Sequence, residues 1–248
     1  MGTNPSLLAP DAGRVGGAVL LLVAFIAPVI ATLWVSTPDV SDVQVRLEAL
    51  VHRQGGTLLA PDQVPTMLAD AVIATEDERF YSHHGIDTVG LARAGIYDLI
   101  NRCLCQGGST ITQQLVKALY LNGSDRGRDK ITDMVLALKV EQILNKQQIM
   151  AGYLSEIATG LGRYGVVAAA CAYFGAPLSR LTLGQYALLA GVTQAPSVYD
   201  PTVDPDAATA RRSAVLADMV ANNFITQAQA DAADAEPILV ANRTSVNC

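Results

Sequence analysis

Two short stretches of the sequence combine residue types that could do chemistry. The first is Glu76-Asp77, followed by Phe80, His83 and Gly85, directly after an apolar segment. A carboxylate at the edge of an apolar segment is poorly solvated, which favours proton uptake and suits a general base. The alternative is an ordinary acidic helix end whose side chains are simply solvated. Taken alone, this acidic stretch leaves both interpretations open.

The second stretch is rich in glycine, hydroxyl and amide side chains. It comprises Gly107, Gly108, Ser109, Thr110, Gln113, Gln114 and Lys117. Glycines let the backbone approach a ligand, and the amino end of a helix offers free N–H groups to an anion. Thr110 and Gln113 have the spacing of a capping box, which predicts a helix that starts here. The alternative is a capped helix that uses these side chains only for its own termini.

Helical patterns dominate the elements that must position these stretches. Apolar residues recur at helical spacing over residues 64–75, 130–144, 164–173, 182–192 and 211–222. Alanine is frequent, aromatic residues make up only 5% of the chain, and no convincing run of strands is present. The sequence therefore predicts a mainly α fold.

An apolar run without charged side chains covers residues 16–35. At about 1.5 Å per residue it spans about 30 Å, which is the hydrocarbon thickness of a bilayer. We predict one N-terminal transmembrane helix at residues 16–35, preceded by a cytoplasmic tail (1–15) and followed by a stalk (36–53). A cleaved signal peptide is the competing interpretation.

Charge and cysteine content narrow the classes of ligand. The net charge of -6 and the pI near 5 do not favour nucleic acid, so an anionic ligand would need a local cluster of Lys and Arg. The four cysteines lack the spacing of a metal site. Small buried or free thiols are the preferred interpretation. A disulfide from Cys248 to Cys103 or Cys105, in an oxidising compartment, is the alternative.

In series, the two polar stretches resemble the motifs ED-x-x-F-x-x-H-x-G and G-G-S-T-x-x-Q-Q of the peptidoglycan glycosyltransferases. This family includes the monofunctional transglycosylases and the transferase domain of class A penicillin-binding proteins. The resemblance continues through Tyr164-Gly165 and the helices that follow it. It implies a lysozyme-like large lobe with a small membrane-apposed jaw lobe, within a glycosyltransferase domain over residues 54–235 and before a C-terminal tail (236–248).

The resemblance also implies a reaction. Its substrate is lipid II, a disaccharide-pentapeptide on a polyprenyl pyrophosphate. The 4-hydroxyl of the acceptor attacks the anomeric carbon of the donor with inversion, which extends a β-1,4-linked glycan strand and releases polyprenyl pyrophosphate. Glu76 matches the catalytic base. The expected substrate-binding residues are Asp77, Phe80, His83, Gly85, Gly108, Ser109, Thr110, Gln113, Gln114, Lys117, Arg126, Arg128, Lys130, Glu141 and Tyr164.

The third motif of the family, R-K-x-x-E, is altered in this chain. Lys130 is kept, but Asp129 occupies the Arg position and Asp133 replaces the second catalytic Glu. Asp is shorter by one methylene, and a displacement of about 1 Å can cost about 100-fold in rate. Asp129 also brings a negative charge toward the expected pyrophosphate site, which Arg126 and Arg128 would have to compensate.

Two other functions therefore remain open at this point. One is a weakened or inactive relative that binds lipid-linked precursor or cell-wall synthase partners. The other is a lysozyme-like hydrolase, since paired carboxylates also cleave glycosides.

The resemblance implies no organic cofactor and leaves open a divalent cation, Mg²⁺ or Mn²⁺, with Asp133 as a ligand. The expected partners are lipid II, the growing glycan strand and membrane lipid. Because no Ser-x-x-Lys motif is present, a separate transpeptidase would have to cross-link the product. A separate transpeptidase or division and elongation proteins are therefore also expected as partners. The expected location is the bacterial cytoplasmic (inner) membrane, as a single-pass protein with its catalytic domain on the periplasmic or outer side.

Overall fold

The computed structural model describes residue 24 and residues 27–101, 108–124, 127–160 and 162–241. It divides into two compact units, Met1–Asp39 and Val40–Cys248. In the first unit, residues 27–36 are helical. Residues 16–23, 25 and 26 of the predicted anchor lie outside the described residues. Within the residues that are described, no helix is both long enough and apolar enough to cross a membrane.

Ten α-helices form the described part of the second unit. They are α1 (Val43–Arg53), α2 (Thr66–Glu76), α3 (Thr88–Asn101), α4 (Ile111–Tyr120), α5 (Gly127–Val140), α6 (Lys146–Glu156), α7 (Val166–Phe174), α8 (Leu183–Gln194), α9 (Pro205–Ala221) and α10 (Gln227–Asp234). Short 3-10 helices cover Pro61–Gln63, Phe80–Ser82 and Leu178–Arg180. Over the described ranges, β structure is limited to two isolated bridges, His84–Ile86 and Ala158–Tyr164. The prediction of a mainly α fold is confirmed.

Side-chain caps fix several helix starts. The capping box predicted at α4 is present: the Thr110 hydroxyl accepts from the Gln113 N–H at 3.1 Å, and Gln113 Oε1 accepts from the Thr110 N–H at 3.0 Å. Helix α9 begins earlier than the predicted residue 211. Asp204 caps it by accepting from the Ala207 N–H at 2.9 Å, and Pro205 occupies its first position.

The helices pack in two groups around a continuous core. Helices α8 and α9 pack on each other and on α2, whereas α4 packs on α5 and α6. Helix α1 packs on α4 and α6 and buries Val43, Leu47 and Val51. The segment that the sequence assigned to a stalk, residues 36–53, thus contains a helix that contributes to this core.

Helix α3 differs from its neighbours because it exposes most of its apolar side chains. Ala94 is its buried residue. Val89, Ile96, Leu99 and Ile100 are all more than half exposed, and Leu99 reaches 80%. A contiguous apolar surface of this kind is typical of a protein-binding or membrane-binding face.

Cys171 on α7 is disulfide-bonded, so the prediction of free thiols is wrong for this residue. The other three cysteines lie outside the described residues. Disulfides form and persist in oxidising compartments. The spacing of the cysteines in the sequence does not show which compartment the protein occupies, so it could not predict this bond.

Candidate active site

The carboxyl group of Glu76, at the end of α2, is held by a side chain from α4. Nε2 of Gln114 donates a hydrogen bond to Glu76 Oε2 at 2.8 Å. The amide oxygen of Gln114 in turn accepts from the Tyr153 hydroxyl at 3.3 Å. Oε1 of Glu76 is buried and has no hydrogen-bond partner among the described residues. One carboxyl oxygen of Glu76 is therefore hydrogen-bonded within the described part of the chain, and the other is not.

Glu76 lines a first cavity of about 300 Å³, here named the acidic cavity. Much of its wall consists of four carboxylates and the residues that directly precede α4. The carboxylates belong to Glu76, Asp77, Glu78 and Asp87, and the other residues are Gly108, Ser109 and Thr110. Arg93 of the same wall forms an ion pair with Glu78. Such a surface disfavours anions but suits hydroxyl groups, which can donate hydrogen bonds to carboxylates.

A second cavity of about 680 Å³, here named the basic cavity, is lined by α1, α4 and the end of α6. Its charged and polar lining residues are Arg46, Arg53, Gln54, Gln114, Lys117, Asn122, Glu156 and Tyr164. The predicted binding residues Gln114, Lys117 and Tyr164 thus come together here. Because Gln114 lines this cavity and Glu76 lines the other, the Glu76–Gln114 hydrogen bond joins the two walls.

Asp77 connects three parts of the site. Its Oδ2 accepts from the backbone N–H of Ile111, at the start of α4, at 3.0 Å. Nε2 of His83 lies 2.9 Å from Asp77 Oδ1. A negative charge at the amino end of α4 is also favoured by the helix dipole. These contacts give Asp77 a positioning role, and its direct contact with a substrate stays a prediction.

Three other predicted site residues lie behind the cavity walls. Phe80 is fully buried, and the Lys146 ammonium lies 4.4 Å from its ring centre. His83 is buried beside Asp77. The carbonyl oxygen of Gly85 accepts from the Thr110 hydroxyl at 2.7 Å. These contacts support the site from behind, while substrate contact by these residues stays a prediction.

The altered third motif forms a connected polar network. Asp133, only 2% exposed, accepts through Oδ1 from Gln113 Nε2 at 2.7 Å. Lys130 Nζ lies 3.7 Å from Asp133 Oδ2 and donates to Ser109 Oγ at 2.7 Å. Since Ser109 lines the acidic cavity, Asp133 holds the Lys130 ammonium toward that wall.

The neighbouring loop is described only in part. Arg126 and the side chain of Arg128 lie outside the described residues. The carboxylate of Asp129 accepts a hydrogen bond from the Ser124 hydroxyl. The carboxylate whose negative charge was expected to oppose an anion is thus hydrogen-bonded to a neighbouring side chain. Compensation by the two arginines stays a prediction.

Glu141 is the first residue after α5, and its N–H still donates to the carbonyl oxygen of Ala137 at 3.1 Å. Glu141 Oε1 accepts from the Thr112 hydroxyl at 2.6 Å and from Lys146 Nζ at 2.7 Å. This cluster is a structural ion pair, and neither cavity wall includes Glu141. Substrate contact by Glu141 stays a prediction.

Sequence reasoning missed the charged groups that α1 and α6 bring to the basic cavity. Arg46 and Arg53 lie in the segment assigned to a stalk, and Glu156 lies in an apolar helix. Glu156 is only 5% exposed, and burial raises the pKa of its carboxyl from 4.5 to about 8. An isolated acid within a buried helix was the available signal.

The raised pKa of Glu156 predicts a pH-dependent stability. In the unfolded chain the carboxyl ionises near its ordinary 4.5, whereas in the folded protein it stays protonated up to about 8. Its contribution is therefore complete below pH 4.5 and is lost as the pH rises to 8, by a few kcal/mol on the order-of-magnitude scale. Glu156→Gln stays neutral, so its melting temperature should rise relative to the unmodified chain between pH 5 and pH 8.

Thermal unfolding of both proteins in detergent at several pH values tests this expectation. The comparison cancels the effect of partly buried acids such as Asp70 and Asp218, whose pKa values are also raised by partial burial. A constant difference in melting temperature across the range would contradict the buried neutral state of Glu156.

Sequence comparison identifies the class of protein that these motifs and this site define. The family described as Transglycosylase matches residues 44–220, which is more than half of the chain. The chain therefore belongs to the transglycosylase family of the peptidoglycan glycosyltransferases.

Two sequence relatives agree with this assignment, and one solved structure is also similar. Penicillin-binding protein 1A of Vibrio cholerae is 42% identical over 216 residues, covering 82% of this chain and 26% of the relative. Penicillin-binding protein 1A of Aquifex aeolicus is 40% identical over 202 residues, covering 82% and 28%. The crystal structure of penicillin-binding protein 1A from Haemophilus influenzae matches 76% of this chain and 19% of that chain, with 25% identity and a TM-score of 0.44. The chain spans about a quarter of the length of the curated relatives it matches.

Proposed function

We propose that this chain polymerises lipid II into β-1,4-linked glycan strands and releases polyprenyl pyrophosphate. The observation that carries the proposal is the hydrogen bond between Glu76 and Gln114, which joins an acidic cavity to a basic one. A glycosyl transfer needs a hydroxyl and its base on one side of the anomeric carbon and an anionic leaving group on the other. The two cavities differ in charge in that sense.

Glu76 would act as the general base on the acidic side. Its unpartnered Oε1 would accept the proton of the acceptor 4-hydroxyl as that oxygen attacks the anomeric carbon with inversion. A sugar hydroxyl is a weak nucleophile, and a positioned base contributes about 10²–10⁴-fold. Attack from one face and departure from the other place the base and the leaving group on opposite sides of the anomeric carbon.

The basic cavity would hold the pyrophosphate. Lys117, Arg46 and Arg53 line it and bring positive charge where negative charge develops on the leaving group. Their concentration on one wall contrasts with the net charge of -6 of the whole chain. Gln114 and Tyr164 add neutral hydrogen-bonding groups on the same wall.

Asp133 would assist through Lys130. Its carboxylate lies 3.7 Å from the Lys130 ammonium, which donates to Ser109 on the acidic cavity wall. Asp133 would fill this role despite being shorter than the Glu of the family motif, because its carboxylate already accepts a hydrogen bond from Gln113. In the described part of the chain no three His, Cys, Asp or Glu side chains converge on one point. A divalent cation at Asp133 is therefore a separate proposal, which the positions of the neighbouring side chains do not support.

Asp133→Asn is expected to lower the rate of polymerisation about 10-fold, because hydrogen bonds and ion pairs to a charged group contribute about 1.5–3 kcal/mol. The Asn side chain keeps the size but loses the charge that holds Lys130. Initial rates of polymer formation measure the change. Asp206→Asn, on the exposed start of α9, is the matched control. Equal rates for both variants would remove Asp133 from the mechanism.

The setting of the reaction would be the outer face of the bacterial cytoplasmic membrane. The exposed apolar side chains of α3 suit contact with lipid in a membrane-apposed jaw lobe. The disulfide at Cys171 suits an oxidising compartment. A single N-terminal span at residues 16–35, a lysozyme-like large lobe, and a separate transpeptidase or division and elongation proteins as partners belong to the same proposal.

The test is incubation of the purified chain in detergent with labelled lipid II, with and without Mg²⁺, followed by separation of the products by length. Long glycan is the expected product. Absence of polymer despite bound lipid II would overturn the proposed enzymatic activity and favour a relative that only binds the precursor. Shortening of added glycan would instead indicate a hydrolase.

A further inference from the structure

The Tyr153 hydroxyl lies directly behind the Glu76–Gln114 pair. Tyr153 belongs to α6 and its side chain is fully buried. Its hydroxyl donates to Gln114 Oε1 at 3.3 Å, and Gln114 Nε2 donates to Glu76 Oε2 at 2.8 Å. A proton-bearing group, an amide and a carboxylate thus form one hydrogen-bonded chain across α6, α4 and α2.

The direction of hydrogen-bond donation from Tyr153 through Gln114 to Glu76 depends on which end of the Gln114 amide faces Glu76. An amide has a donor end and an acceptor end. With the acceptor end on the Tyr153 hydroxyl, the donor end faces the carboxylate, as observed. Reversal would place the amide oxygen against Glu76 Oε2, where two acceptors repel each other.

Tyr153 can hold this orientation throughout a reaction cycle because it keeps its proton. Complete burial raises the pKa of Tyr153 well above its usual value, and the nearby charge of Glu76 adds to the effect. Glu76, in contrast, becomes neutral when it accepts a proton, and its attraction for the Gln114 N–H then weakens. At that moment Tyr153 is the part of the chain that still fixes the amide.

We propose that Tyr153 is a positioning residue that fixes the Gln114 amide, so that Oε2 of Glu76 stays occupied and Oε1 stays available to the acceptor hydroxyl. The arrangement follows the general logic in which a base is oriented by a second group and that group by a third. This inference rests on the proposed glycosyltransferase function.

Tyr153→Phe tests the proposal because it removes one oxygen and keeps the buried ring. The expected result with lipid II is a kcat about 10- to 100-fold lower and a KM within about 2-fold of the unmodified chain. Tyr186→Phe is the matched control. Tyr186 is also buried, and its hydroxyl donates at 2.8 Å to the carbonyl oxygen of Leu178, outside the Glu76 network. It should lose stability similarly but retain kcat.

A double-mutant cycle separates positioning from general damage. In a Gln114→Ala background the hydrogen bonds that link Tyr153 to Glu76 are already lost, so Tyr153→Phe should change kcat by less than about 2-fold. The proposal is overturned if Tyr153→Phe matches Tyr186→Phe, if it acts equally in both backgrounds, or if it raises KM and spares kcat.

A readout that is independent of activity distinguishes this inference from the proposed function. The side-chain amide of Gln114, labelled with ¹⁵N, should give two distinct, slowly exchanging protons in the unmodified chain. Tyr153→Phe should accelerate their exchange, and Tyr186→Phe should not. If the chain fails to polymerise lipid II yet shows this pattern, the function is wrong and the positioning contact stands. If it polymerises and the pattern is absent, Tyr153 has no such role.

Discussion

Replacement of Glu76 by Gln is expected to lower the rate of polymerisation by about 10²–10⁴-fold, the usual contribution of a positioned general base. Gln cannot take the acceptor proton, but it keeps the size of Glu and an oxygen for the Gln114 N–H. The fold and the binding of lipid II should therefore survive. Initial rates, together with a separate measurement of lipid II binding, give the two quantities that distinguish catalysis from binding.

Glu78→Gln is a demanding comparison for this variant. Glu78 is two residues away, lines the same cavity and undergoes the same chemical change. Its carboxylate is paired with Arg93 and lies on the exposed side of the wall. Its loss should be far smaller than that of Glu76→Gln. Similar losses would mean that the negative charge of the cavity matters rather than one base, and an active Glu76→Gln would exclude Glu76 as the base.

The sequence predicted the local elements of the site better than their connections. The capping box of Thr110 and Gln113 depends on residues three apart, and it is present as expected. The contact between Glu76 and Gln114 joins residues 38 positions apart and exists only because α2 and α4 meet. Local patterns carry no information about such a contact. The motif resemblance named both residues, but it did not pair them.

Other parts of the site were concealed by their surroundings. Helix α1 follows a segment rich in Pro and Asp, so Arg46 was assigned to a stalk although it lines the basic cavity. Tyr153 and Glu156 lie in α6, of which residues Ile149 to Glu156 are all buried. A helix that is buried on every side has no polar face to mark a functional side chain. Burial made these residues important and also hid them.

Gly85→Ala is expected to destabilise the protein by about 3 kcal/mol or more, for reasons of backbone geometry. Gly85 has φ of +82°, a conformation that side chains with a Cβ rarely adopt. An added Cβ would lie 2.7 Å from the carbonyl carbon and 2.8 Å from the carbonyl oxygen of Ala137, within α5. Because those are backbone atoms, the loop or the helix must move. The hydrogen bond from Thr110 to the Gly85 carbonyl would be lost with that movement.

Two further glycine variants separate the causes of this loss, with thermal unfolding in detergent as the measurement. Gly55 has φ of +67° but open space around an added Cβ, so Gly55→Ala should cost only the backbone strain, about 1–2 kcal/mol. Gly95, within α3, has neither constraint, and Gly95→Ala should be neutral or stabilising by about 0.5–1 kcal/mol. If Gly85→Ala cost no more than Gly55→Ala, close packing of this loop on α5 would not be what requires glycine. A larger cost would tie the first motif to α5, because the same loop that places Gly85 against Ala137 also presents its carbonyl to Thr110 at the start of α4.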